Sequence, residues 1–132
     1  MRTRSRLFRR RAIAPSPLAS SGEVGESSRR DKVTLAYPGY PFLEIDPMMK
    51  LNIWNKAIAV DGYDPAVYRK DICGCWMRFD EHAQETEYGW EIDHILPRVL
   101  RGMSYIANLQ PLWWRNNRLK GDTYPWRLTP GD

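Results

Sequence analysis

Cysteine is scarce: Cys73 and Cys75 are the only two in 132 residues. A bridge between residues two apart is badly strained, so a disulfide framework is excluded and a reducing compartment fits. Two thiolates do not complete a tetrahedral zinc site, and no structural zinc is expected. The cysteines read instead as strand residues facing one side, with at least one in the core. Histidine is equally scarce, limited to His82 and His94; His82 falls in a polar stretch and reads as solvent-exposed. No apolar run approaches the roughly 18 residues of a membrane-spanning helix. No hydrophobic segment follows the N-terminal arginines, which excludes a secretory signal. Acids are absent before Glu23.

Aromatics are plentiful, with six Trp and seven Tyr. Each buries a large area, which helps a short chain hold a core, and burial is the expected fate of most of them. The length allows one domain. Net charge is +4 overall but unevenly placed. Residues 1–31 carry eight Arg against three acids, a net of +5, whereas residues 32–132 carry twelve basic and thirteen acidic residues. This divides the chain into a basic arm, 1–31, expected to be disordered, and a domain, 32–132. The Arg- and Ser-rich arm has the composition of an organelle transit peptide as well as of a flexible basic arm. Within residues 95–127 of the near-neutral body, six basic residues meet one acid, Asp122. A phosphate backbone would lie there.

Pro38, Pro41 and Pro47 suggest an extended segment across the domain. Asp46-Pro47 reads as an N-cap followed by Pro at the first helical position, opening a helix from Met48 to Val60. Asp64-Pro65 repeats the signal for a short helix to about Arg69. Two β-type runs, Ile72–Phe79 and Tyr88–Leu96, can pair as a hairpin. A loop spans residues 98–107. Leu109–Trp113 reads as a further strand and Trp114–Lys120 as a helix stopped by Gly121. The closing segment 122–132 is expected to be an extended strap docked by Tyr124 and Trp126.

Four polar residues stand out against this apolar background: Asp93, His94, Asn108 and Asn117. Asp93 and Asn117 offer oxygen ligands to a hard divalent ion. His94 can take a proton from water near neutral pH. Asn108 can hold an imidazole in one tautomer. The ordered set Asp93-His94-Ile95-Leu96-Pro97, Asn108-Leu109-Gln110-Pro111-Leu112 and Asn117-Arg118-Leu119-Lys120 resembles the HNH endonucleases. The resemblance is close over about residues 88–122. It extends more weakly to Trp54-Asn55-Lys56-Ala57 and to Tyr68-Arg69-Lys70-Asp71-Ile72-Cys73-Gly74.

The resemblance implies an α+β fold: a small ββα-metal core, hairpin then helix, with upstream helices. It implies a metal-dependent endonuclease that hydrolyses phosphodiester bonds in DNA, RNA being less favoured. His94 would be the general base, oriented by Asn108, and one Mg²⁺ or Mn²⁺ would be held by Asp93 and Asn117. Arg98, Arg118 and Lys120 would contact nucleic acid, and Glu91 is a minor candidate partner of Asp93. Many such proteins carry two Cys pairs on a structural zinc; here Trp113-Trp114-Arg115-Asn116 stands where the second pair would be. The family is mostly bacterial and phage-borne, which favours the flexible-arm reading of residues 1–31 and a cytoplasmic location. The alternative keeps the fold without catalysis: an HNH-like nucleic-acid-binding module or a subunit of a larger nuclease complex.

Overall fold

A computed structural model describes residues 14–16 and 36–126. Helix α1 spans Pro47–Trp54. Strands β1 (Tyr68–Lys70) and β2 (Trp76–Arg78) form one antiparallel pair, and β3 (Trp90–His94) and β4 (Leu109–Trp113) form another. Helix α2, Trp114–Lys120, follows β4 directly. The domain is therefore α+β, a hairpin followed by a helix, preceded by one helix and a smaller strand pair. Among the described residues no helix is long and apolar enough to cross a membrane.

Helix α1 begins as its sequence dictates. The Asp46 carboxylate accepts from the Met49 amide at 3.3 Å, and Pro47 occupies the first turn, where its missing N–H costs nothing. It ends at Trp54, six residues short of the expected Val60. The chain turns there, and Ile58 exchanges both backbone hydrogen bonds with Lys70, at 2.8 and 2.9 Å. Ile58 thus bridges to the small sheet instead of continuing the helix. The Asp64 cap also forms, its carboxylate accepting from the Ala66 amide. It supports only a single turn, because Tyr68 already belongs to β1. Upstream of the hairpin the described residues hold one α-helix, α1, and a short 3-10 turn at Phe79–Glu81.

The hairpin of the expected ββα unit forms: β3 pairs with β4, from Trp90 opposite Trp113 to His94 opposite Leu109. The pairing expected between Ile72–Phe79 and Tyr88–Leu96 does not; β2 pairs with β1 instead, Tyr68 opposite Arg78. Cys73 and Cys75 lie in the turn between β1 and β2, not in a strand, and both are buried. Trp54, Trp90 and Trp113 are in the core and Trp114 packs against it. The Trp54 and Trp90 rings lie 5.1 Å apart. The indole N–H of Trp90 donates to Phe79 O and that of Trp113 to Glu87 O. His82 is half-buried against the Trp90 ring at 4.6 Å, not solvent-exposed.

Asp71 joins the two halves. Its carboxylate is fully buried, and Oδ1 accepts from the amides of Cys73 and Cys75. Oδ2 accepts from the Trp113 amide and the Asn116 side chain, at 3.0 and 2.9 Å. Four N–H donors from the cysteine turn and the start of α2 thus converge on one carboxylate. Of the expected arm, only residues 14–16 are described; Pro15 is buried there and its carbonyl accepts from Tyr63 Oη at 2.7 Å. The disorder expected for the rest of 1–31 lies outside the described residues, as does the strap beyond Trp126.

Candidate nucleic-acid interface

Neighbouring residues of a strand face opposite ways, yet Asp93 and His94 line the same cleft. β3 ends at His94, and the chain bends towards Pro97. The cleft has a volume of about 390 Å³ and is also lined by Arg98, Asn117 and Asp122. Three of the four residues singled out from sequence thus meet at one concavity.

Asp93 is buried at the base. Its Oδ2 accepts from Gln110 Nε2 at 2.9 Å, and its Oδ1 lies 3.1 Å from Lys120 Nζ. The Lys120 ammonium is buried too, and also donates to His94 O at 3.0 Å. Burial pushes the Asp93 carboxyl above its usual range; the Gln110 hydrogen bond and the Lys120 charge pull it back. Strand register places Gln110 opposite Asp93. Lys120 follows Asn117 by about one helical turn, so both share a face of α2.

His94 is half-buried, its ring stacked on Tyr40 at 5.8 Å between centroids. Burial lowers its pKa, and the Arg98 and Lys120 charges lower it further. Nε2 lies 2.9 Å from Ser104 Oγ, which also hydrogen-bonds Tyr40 O at 3.0 Å. With the hydroxyl proton on that carbonyl, Ser104 accepts from Nε2–H, leaving Nδ1 as the acceptor nitrogen of the ring. Ser104 and Tyr40 escape a sequence reading because they approach from a loop and from a segment 54 positions before His94.

Asn108 lies outside the cleft lining. Its Oδ1 accepts from Leu96 N at 2.8 Å, and its Nδ2 donates to Leu96 O and Met103 O. The amide holds the loop between β3 and β4, and the imidazole is held by Ser104. Asn117 Nδ2 donates to Glu91 Oε1 at 2.8 Å. Glu91 also binds Arg118, whose Nη2 lies 2.7 Å from Glu91 Oε2 and 3.0 Å from Glu85 Oε2. Glu91 therefore partners Asn117 and Arg118, not Asp93.

The expected metal-dependent endonuclease is overturned by this donor set. Among the described residues, no three or more His, Cys, Asp or Glu side chains come together to hold a metal ion. The carboxylate assigned to Mg²⁺ or Mn²⁺, Asp93, faces a buried ammonium. The amide assigned beside it, Asn117, donates its Nδ2 to Glu91, and its single neutral Oδ1 does not replace that carboxylate. With the metal falls the hydrolysis that His94 was to serve as general base.

No protein-family model, curated protein or solved structure matches this chain.

The cleft rim and its surroundings remain rich in exposed cations. Arg98 and Arg101 are exposed on the loop after β3, and Arg115 and Arg118 on α2. Arg98 lies over the Phe42 ring, 4.5 Å from its centroid, and Arg115 and Arg118 flank the Trp114 ring at 4.8 and 5.5 Å. Planar guanidiniums stacked on rings stay available to phosphate through their edges; Arg118 would have to exchange Glu85 and Glu91 for a phosphate.

Proposed function

We propose that this chain is an HNH-like nucleic-acid-binding module without hydrolytic chemistry of its own, working alone or as a subunit of a larger nuclease complex. The observation that carries the reading is the Lys120–Asp93 pair beneath the cleft. A cation supplied by the protein occupies the carboxylate that a divalent ion would need. The hairpin–helix unit keeps its shape around that internal charge, and the exposed arginines give it an electropositive rim. DNA is the preferred partner, with RNA as the lesser one. Arg98 and Arg118 bind phosphate, together with Arg101 and Arg115, which the same exposure brings in. Lys120 serves inside, because its ammonium is buried. Asp93, His94, Asn108 and Asn117 shape the cleft and the loop beside it.

Fluorescence anisotropy with a labelled DNA duplex tests this reading. Affinity is expected to fall log-linearly with salt. Each of Arg98→Ala and Arg118→Ala is expected to reduce the slope by about 0.9 for every phosphate no longer neutralised. Plasmid cleavage in Mg²⁺ or Mn²⁺ that disappears in His94→Ala would overturn the non-hydrolytic reading. Salt-independent or absent duplex binding would overturn the nucleic-acid reading.

A further inference from the structure

The loop between β3 and β4 presents apolar side chains to solvent. Val99 is 70% exposed, Leu100 49% and Met103 58%. Single exposed hydrophobics are ordinary; three within five residues, on a loop held this firmly, are not. Leu100 N and Gly102 N both donate to Pro97 O, and Arg101 N donates to Arg98 O, each at 2.9 Å. The Asn108 amide ties Leu96 to Met103 across the loop's base. Gly102 sits so close to the Leu96 carbonyl that a Cβ there would lie 1.6 Å from its oxygen. Arg101 takes a left-handed backbone at φ 72°, which is unfavourable for a residue with a side chain. From the other side, segment 37–43 braces the loop through Tyr37 N to Ser104 O at 2.7 Å and the Phe42 ring beneath Arg98.

We propose that this loop is a rigid wedge that inserts Val99 and Leu100 between stacked base pairs of duplex DNA, with Arg98 and Arg101 on the flanking phosphates. The inference rests on the nucleic-acid reading above and deepens it, naming a bent duplex as the ligand. Charge complementarity identifies the occupant. The apolar pair is bracketed by two exposed arginines, and no acidic residue occurs between Asp93 and Asp122 in the sequence. The chemistry of the tip selects duplex over single strand. Aliphatic side chains wedge open base steps, whereas single-strand platforms rely on aromatic faces. A wedge must also be stiff, since a loose loop would lose in its own reordering the binding energy needed to unstack a step.

The test uses the full chain and a duplex carrying the fluorescent base 2-aminopurine, end-labelled for energy transfer. Wild-type protein is expected to raise the 2-aminopurine fluorescence and shorten the end-to-end distance. The double variant Val99→Ser/Leu100→Ser changes only exposed positions. It is expected to keep the wild-type Tm and salt slope, lose the fluorescence rise and the bend, and bind roughly tenfold more weakly. Duplex binding without unstacking, a double variant that behaves as wild type, or tighter binding to the matching single strand would overturn the wedge while leaving nucleic-acid binding intact. Failure to bind the duplex at low salt would overturn both. So would binding to phosphatidylserine vesicles in place of DNA, which would make the apolar tip a membrane contact.

Discussion

At Asp71 a single side chain closes the core. Burial pushes its carboxyl pKa up, while the hydrogen bonds from Asn116 and from the amides of Cys75, Trp113 and Cys73 pull it down. Replacing it leaves buried donors without an acceptor, which costs about 1–3 kcal/mol for each group orphaned. Asp71→Ala is therefore expected to lose about 3–5 kcal/mol in urea unfolding, enough to unfold much of a marginally stable domain. A loss below about 1 kcal/mol would mean the cysteine turn and α2 are held by packing alone. His82 gives a pH signature at the same scale. Its pKa is lowered to about 4, first by burial, then by the Lys50 charge, with Glu91 acting in the opposite sense. The unfolded imidazole, near 6.5, binds the proton more tightly than the folded one. Stability contributed by neutral His82 is thus full above about pH 6.5 and lost as pH falls through about 4. His82→Gln is expected to flatten that decline in Tm between those limits.

Between elements, the decisive contact ties α2 to β3. Lys120→Ala leaves the Asp93 carboxylate buried and unpaired, and is expected to cost about 3–5 kcal/mol. Lys120→Met with Asp93→Leu removes both charges and is expected to recover most of that loss. An equally unstable double variant would show that cavity formation, not the orphaned charge, dominates. The spans of β4 and α2 were legible because the resemblance implies a second strand at Leu109–Trp113 and Gly121 stops the helix after Lys120. The pairing of the earlier run was not. Ile72–Phe79 looks like a strand by composition, but Asp71 Oδ1 draws the amides of Cys73 and Cys75 into a turn, and the carboxylate is held there through Oδ2 by donors 42 and 45 positions away. The cleft was half legible for a similar reason. Asp93, His94 and Asn117 do meet there. What their spacing could not reveal is that the lysine one turn past Asn117 points inward onto Asp93.

For the whole molecule, the distribution of charge separates stability from binding. Residues 1–13 hold six of the chain's arginines, and Pro15 just beyond them is buried with its carbonyl on Tyr63. Tyr63 in turn packs on Trp76 at 4.4 Å, and Trp76 on Tyr68, within the aromatic group that covers the small sheet. Two truncations should therefore behave differently. Removing residues 1–13 takes away six arginines and no described contact; it is expected to leave Tm unchanged and to lower both duplex affinity and the steepness of its salt dependence, as counterion release requires. Removing residues 1–31 also strips Pro15 from Tyr63. It is expected to cost about 1 kcal/mol for the missing hydrogen bond, which shifts Tm down by about 4–8 °C in a domain of this size. Thermal melts of both truncations beside salt titrations of DNA binding decide the matter. Equal Tm values for the two would show that Pro15 docks without contributing stability, and an unchanged salt slope would show that the arm's arginines stay off the phosphates.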